Sequence, residues 1–288
     1  MQAVKEKVYA KINLTLDVKN AENGYHELDS LVASIDLCDE IRLCKRKDKQ
    51  VTLKMHGIEL FDLPMEKNNA YKAAVLFMQT YQTNGVDIEI RKNIPVGAGL
   101  GGSSADAAGV LNGLAKLYKI EDENGLDALA DRLGSDTKYM RHGGYARMRG
   151  RGEKLEYLPV KQVLWFLLLC PSSSVSTAEC FHTLDCLRLQ GDCGYFPRTQ
   201  ACVESLCALD KERVGRLMGN DLYQAALTLN DELLSVKQEA DGFSPLGATM
   251  TGSGSGVIAL FEERELCEWA KSRYRGDAEA IVVKTVVK

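Results

Sequence analysis

The sequence predicts an α+β protein of two domains, and three observations carry that expectation. Strand-like and helix-like segments are mixed along the whole chain. An apolar run at 163–170, about half the length of a membrane span, reads as a buried strand that opens a second half. A chain of 288 residues suits one large domain or two modest ones, and the pattern divides it into residues 1–160 and 161–288.

Residues 2–19 alternate well enough for a strand, with Lys11 and Asn13 near its end. Residues 31–37 and 40–46 read as strands separated by a turn at Asp39-Glu40, and 51–55 as another. Ala70, Ala73, Ala74 and Phe77 recur at helical spacing, which predicts a helix over 69–81. Alternation at 86–90 makes a strand that delivers the chain to a glycine-rich stretch. A helix to about Tyr118 follows, then a second at 125–133 and a glycine-dotted segment at 134–152. Beyond the apolar run come helices near 176–188, 199–208, 210–218 and 230–240, and strands near 247–250, 256–261 and 280–286.

Composition narrows the function class. A formal net charge of −4 argues against a surface that coats nucleic acid, and no run is long enough to span a membrane. The first residues lead straight into a strand pattern without the apolar core of a signal peptide. Nine cysteines are scattered without Cys-x-x-Cys pairs, which argues for reduced thiols and a cytoplasmic location. Cys180, Cys186 and Cys193 lie near His182, but their spacing fits no standard zinc pattern.

The most informative stretch is 94–108, Ile-Pro-Val-Gly-Ala-Gly-Leu-Gly-Gly-Ser-Ser-Ala-Asp-Ala-Ala. Gly97, Gly99, Gly101 and Gly102 fall within six residues, Ser103 and Ser104 follow, and an alanine-rich helix begins there. Glycines let backbone N–H groups approach a ligand, and a helix start adds unpaired N–H groups and a positive dipole end. Together they form an anion cradle suited to phosphate, with serine hydroxyls able to reach phosphate or its Mg²⁺. No Gly-Lys-Ser/Thr closes the run, and the spacing is not Gly-x-Gly-x-x-Gly, so two familiar phosphate loops are excluded. A second cluster, Gly252-Ser253-Gly254-Ser255-Gly256, places glycine at alternate positions, which signals close backbone approach or a plain turn.

Three segments in order, residues 9–18, 94–108 and 247–256, resemble the motifs of the galactose, homoserine, mevalonate and phosphomevalonate (GHMP) kinase superfamily. Asn23-Gly24-Tyr25-His26 with Asp29-Ser30-Leu31, residues 68–73, Val175-Ser176-Thr177-Ala178-Glu179 and Asn220-Asp221-Leu222 narrow the likeness to one member. That member phosphorylates a hydroxyl of a cytidine-diphosphate-linked polyol in isoprenoid precursor synthesis. The resemblance implies a two-domain fold holding ATP and substrate between the domains, with Mg²⁺ as cofactor, a small-molecule substrate as partner, and a monomer or homodimer.

The resemblance also implies roles. Lys11 and Asp136 flank the acceptor hydroxyl; a carboxylate accepts its proton, and an ammonium offsets charge on the phosphoryl group. Alone, Lys11 reads as a solvated strand-end lysine and Asp136 as a helix cap or surface turn. Pro95, Gly97, Gly99, Leu100, Gly101, Gly102, Ser103 and Ser104 line the ATP cradle, with Ser104 on the metal and Asn69 and Lys92 on the adenosine side. Tyr25, His26 and Phe181 hold the cytosine base; Asn13, Thr177, Gly252, Ser253 and Gly254 contact the rest of the substrate. Read from the residues alone, His26 is also a loop histidine and Phe181 a core residue. Two departures stand out. Asp136-Thr137-Lys138-Tyr139-Met140 replaces the family's Asp-Val-Pro-Phe-Phe, and residues 189–198 form an insertion without a family match. Another kinase of this superfamily and a ligand-binding regulator on the same fold remain alternatives.

Overall fold

The computed structural model describes residues 2–22, 25–57 and 64–287. The chain begins with β1 (Ala3–Asn13), β2 (Thr15–Glu22) and β3 (Tyr25–Lys45). The single strand expected over 2–19 is thus broken at Leu14, and the two strands expected at 31–46 are one. The turn expected at Asp39-Glu40 is absent for a specific reason. Aspartate breaks strands when its carboxylate seeks nearby backbone, but Asp39 accepts from Asn93 N at 2.6 Å, Ile94 N at 2.9 Å and the Lys92 ammonium. The strand therefore runs on.

Next come β4 (Val51–Gly57), α1 (Asn69–Tyr81), β5 (Val86–Lys92), α2 (Gly102–Tyr118) and α3 (Glu123–Leu133), as expected. The glycine-dotted segment holds α4 (Thr137–His142), β6 (Tyr145–Gly150) and the start of a β6–β7 hairpin, β7 being Lys154–Leu158. Then follow β8 (Trp165–Cys170), α5 (Thr177–Gln190), α6 (Thr199–Cys207), α7 (Lys211–Leu217), β9 (Gly219–Asn220), α8 (Tyr223–Leu229), α9 (Glu232–Gly242), β10 (Gly247–Met250), β11 (Val257–Phe261), α10 (Arg264–Arg273) and β12 (Glu279–Lys284). Helix α10 was not expected; it buries Cys267 and Ala270 and leaves Leu266 and Trp269 exposed among charged residues.

The chain forms two compact units that interleave along the sequence, whereas the expected division was one cut near residue 160. The first unit comprises residues up to Ala10, Leu37–Pro95 and Gly101–Gly143; the second comprises Lys11–Asp36, Val96–Leu100 and the chain from Gly144 on. In the first unit β4 runs parallel to β5, and β5 antiparallel to residues 40–45 of β3. Helix α2 packs against α1, α3 and α4. It lies close to the strands because Gly109 and Gly113, one turn apart, face them. A Cβ at Gly109 would sit 2.2 Å from Val8 Cγ1 and 2.7 Å from Ile41 Cδ1.

In the second unit β3 pairs antiparallel with β2 and β6, and β2 parallel with β9. A separate antiparallel sheet has the order β10-β11-β8-β12. The apolar run ends up as its strand β8, between β11 and β12, so both edges of that strand are paired. Leu167, Leu169, Val257 and Ala259 from this sheet share a core with Cys180 and Leu184 of α5, Ala225 and Ala226 of α8, and Val236 of α9. Among the described residues no helix is long and apolar enough to cross a membrane.

The tight helix-to-strand approach makes Gly109 sensitive. Gly109→Ala destabilises the protein by about 1–3 kcal/mol, the usual cost of overpacking, although alanine favours a helix intrinsically. Gly242→Ala, where an added methyl meets nothing within 4 Å, serves as control in denaturant unfolding. Equal stability of the two variants contradicts the packing account.

Candidate active site

In the second unit the two glycine clusters meet each other. Gly99, at φ +72°, lies so close to the second cluster that a Cβ would stand 2.2 Å from Thr251 O; one on Gly252 would stand 2.7 Å from Gly99 O. No side chain fits on either face, so both positions need glycine for approach as well as for backbone angle. Ser255 N donates to Gly97 O and Gly256 N to Ala98 O, both at 3.3 Å, and Thr251 N donates to Gly256 O at 2.8 Å. Part of what the alternating glycines approach is therefore another stretch of this backbone.

Side chains from β1 and β9 pin this contact. Asn13 N donates to Thr251 Oγ1 at 2.9 Å, and Asn13 Oδ1 accepts from Gly252 N at 3.2 Å and from Lys11 Nζ at 2.5 Å. Asn13 Nδ2 donates to Ser30 Oγ at 2.7 Å, which fixes the amide orientation. Asn220 Nδ2 donates to Met250 O and Gly252 O at 2.9 and 2.8 Å. Lys11 N also donates to Leu100 O at 3.0 Å, tying the first loop to β1. Lys11 is buried, so its ammonium is a held charge rather than a solvated one.

In the first unit, the amides of Gly102, Ser103 and Ser104 open α2. Its cap residue, Gly101, has no side chain to satisfy them, and no side-chain capping bond replaces it. Seventeen residues of helix stand behind that terminus. Asn69 Nδ2 donates to Ser103 Oγ at 3.0 Å, bringing those two expected residues together. Lys92 is held differently from the expectation of an open adenosine contact. Its buried ammonium donates to Asp39 and, at 2.7 Å, to Asp106 Oδ2 on α2. Burial pushes the Asp106 carboxyl up to about 7, since Lys92 only partly offsets it and Asp39 adds repulsion. Burial also works against the Lys92 ammonium, but Asp106 and Asp39 outweigh it and raise its pKa.

Asp136 immediately precedes α4. Its carbonyl accepts the helical bond from Met140 N at 2.9 Å, while its carboxylate makes no capping bond. Position 138, where the family has proline, falls in the first turn of α4. An N–H there lacks an intrahelical acceptor, so lysine replaces proline without breaking the helix. The Lys138 ammonium pairs with Asp131 at 3.4 Å.

Back in the second unit, α5 presents Thr177, Phe181 and Asp185 at four-residue spacing, hence along one face. Thr177 Oγ1 and Ser253 Oγ are 2.8 Å apart. The rings of Phe181 and His26 lie 5.0 Å apart, tilted by 39°, and His26 Nε2 lies 2.8 Å from Asp185 Oδ1. Phe181 also packs on the core, so its two readings are compatible. Tyr25 is exposed, with the Arg151 guanidinium 3.7 Å over its ring. Asn23 and Gly24 lie outside the described residues. Reasoning from sequence missed Asp39, Asp106, Asp185 and Asn220 as parts of these arrangements. Asp185 had a signal in its spacing from Phe181, and Asp106 in being the one acid on a largely apolar helix.

Comparison with known proteins now bears on the arrangement. Residues 68–146 match the model of the GHMP kinases N terminal domain, and residues 202–275 that of the GHMP kinases C terminal domain. The chain is 33% identical over 279 residues to a 4-diphosphocytidyl-2-C-methyl-D-erythritol kinase of Bacillus licheniformis, covering 96% of this chain and 94% of that protein. It is 33% identical over 290 residues to the enzyme of that name from Clostridium beijerinckii, covering 98% and 100%. A crystal structure of 4-(cytidine 5'-diphospho)-2C-methyl-D-erythritol kinase superposes with a TM-score of 0.82 at 30% identity, covering 98% of each chain.

The Asp39, Lys92 and Asp106 cluster has a pH consequence. The unfolded Asp106 titrates near 3.8 and the folded one near 7, so the native state holds the extra proton between those values. Stability from this group is complete below the lower value and is lost as pH rises through the upper one. Asp106→Asn removes that dependence. Its melting temperature, relative to the unsubstituted protein, rises from pH 5 to pH 8; a constant difference contradicts the assignment.

Proposed function

This chain belongs to the GHMP kinase family, and on that premise we propose that it phosphorylates the 2-hydroxyl of 4-diphosphocytidyl-2-C-methyl-D-erythritol with ATP, in isoprenoid precursor synthesis. The full-length likeness to kinases of that name supports the substrate, and the pairing of His26 with Phe181 carries it in the geometry. A nucleobase needs an aromatic face and a directed polar partner, and this pair supplies both. Tyr25 adds a second ring, and Thr177 and Ser253 supply hydroxyls for the polar remainder of the substrate.

The phosphate donor belongs at the start of α2. Backbone N–H groups of residues 101–104, backed by the helix dipole, fit the phosphates of ATP. The contact between residues 97–99 and the second glycine turn holds the segment that leads into this helix start. ATP would supply the transferable phosphoryl group and Mg²⁺ would offset the charge on its phosphates, with Ser104 the side chain suited to the metal. Asn69 braces Ser103, and Lys92 anchors α2 near its start through Asp106.

The acceptor hydroxyl must lose a proton as the phosphoryl group moves across. Asp136 accepts it, and Lys11, oriented by Asn13, offsets negative charge on the transferring group. We place the enzyme in the cytoplasm, where ATP is available and where its nine cysteines stay reduced.

An ADP-release assay over cytidylated and uncytidylated polyols tests the substrate. Turnover confined to the cytidyl methylerythritol is expected, and turnover of an uncytidylated polyol in its place contradicts the proposal. Asp136→Asn lowers turnover about 10²–10⁴-fold, the usual worth of general base catalysis, with the melting temperature nearly unchanged. Near-normal turnover in that variant removes Asp136 from the mechanism. Phe181→Ala raises KM for the cytidyl substrate about 5- to 150-fold, which corresponds to about 1–3 kcal/mol of lost base stacking. KM for ATP stays constant in Phe181→Ala and in His26→Ala; parallel changes in both constants contradict a separate base subsite.

A further inference from the structure

The contact between Asp185 and His26 constrains the histidine ring. Residue 185 lies one turn beyond Phe181 on α5, so one helix face brings both an aromatic ring and a carboxylate to His26 on β3. The His26 side chain is 11% exposed, while that of Asp185 is 40% exposed. A carboxylate accepts hydrogen bonds and does not donate them. The neutral imidazole therefore carries its one proton on Nε2, 2.8 Å from Asp185 Oδ1, and Nδ1 is left as an acceptor.

We propose that Asp185 is a positioning residue that sets base specificity by holding His26 in the tautomer whose Nδ1 accepts a hydrogen bond from an exocyclic amine. The proposal rests on the assignment of His26 and Phe181 to the base subsite. Cytosine carries an amine at C4 where uracil carries a carbonyl oxygen. A nitrogen lone pair attracts the first and repels the second. Were the proton free to sit on Nδ1, the same ring would donate to the carbonyl and the preference would fade. Asp185 thus selects between two pyrimidines without touching either.

The test compares the cytidine diphospho-polyol with its uridine counterpart in the full-length protein carrying Asp185→Asn, Asp185→Glu, His26→Ala or Phe181→Ala. Asparagine can accept or donate, so it no longer dictates the tautomer. Asp185→Asn is expected to lower the cytidine-to-uridine ratio of kcat/KM about tenfold, the worth of one hydrogen bond. The loss falls on KM for the cytidyl substrate, because the contact is made equally in ground and transition states. Asp185→Glu recovers part of the ratio. The ¹⁵N spectrum of the His26 ring reports a protonated Nε2 in the unsubstituted protein and a tautomer mixture in Asp185→Asn. An unchanged ratio in Asp185→Asn, with raised cytidyl KM in Phe181→Ala, overturns the role of Asp185 and leaves the base subsite standing. Unchanged cytidyl KM in both Phe181→Ala and His26→Ala removes the subsite, and the proposal with it. An equal loss for both substrates with a lowered melting temperature marks Asp185 as structural and also overturns it.

Discussion

Backbone-to-backbone contact between two glycine turns is the constraint around which the candidate site is organised. Residues 96–100 and 251–256 approach so closely that a Cβ on Gly99 or Gly252 would collide with carbonyl oxygen or Cα of the other turn. That approach lets Asn13 and Asn220 span the second turn with several hydrogen bonds each, and it ties Lys11 to the same network. A loop that presents N–H groups to phosphate must hold them still before the ligand arrives. The second glycine turn holds residues 97 and 98 through main-chain bonds rather than through a bulky side chain.

Charge placement adds a second layer of rigidity. Lys92, Asp39 and Asp106 are all buried, and they join β5, β3 and α2 within the first unit. Asp39 is also what keeps β3 continuous, because it spends its oxygens on the amides of Asn93 and Ile94. One cluster therefore shapes the strand, anchors α2 near its start and positions the segment leading into the glycine loop. Buried charges of this kind are weak evidence for stability, but they are well suited to fixing a geometry.

Much of this was legible in the chain. Helix α1 followed from the spacing of Ala70, Ala73, Ala74 and Phe77, β8 from its unbroken apolar run, and α2 from the alanine-rich stretch behind the glycines. What was not legible has physical reasons. The turn expected at Asp39-Glu40 failed because the partners of Asp39 lie more than fifty residues away. The contact of Asp185 is with His26, which is 159 residues distant. Helix α10 went unread although Leu266, Cys267, Trp269 and Ala270 recur in it at helical spacing. The second glycine cluster was readable as a close approach, but not as an approach to the first. Interleaving of the two compact units leaves no mark in composition, because strands β1 and β3 each contribute to both.

The account stands on ATP phosphates binding at the glycine loop and the start of α2. Hydrogen–deuterium exchange, with and without a non-hydrolysable ATP analogue and Mg²⁺, tests this directly. Slowed exchange at the amides of residues 96–104, with residues 177–185 of α5 unaffected, is the result the account requires. Unchanged exchange at 96–104 under saturating analogue would contradict it, and the glycine loop would then serve only to pack against the second turn.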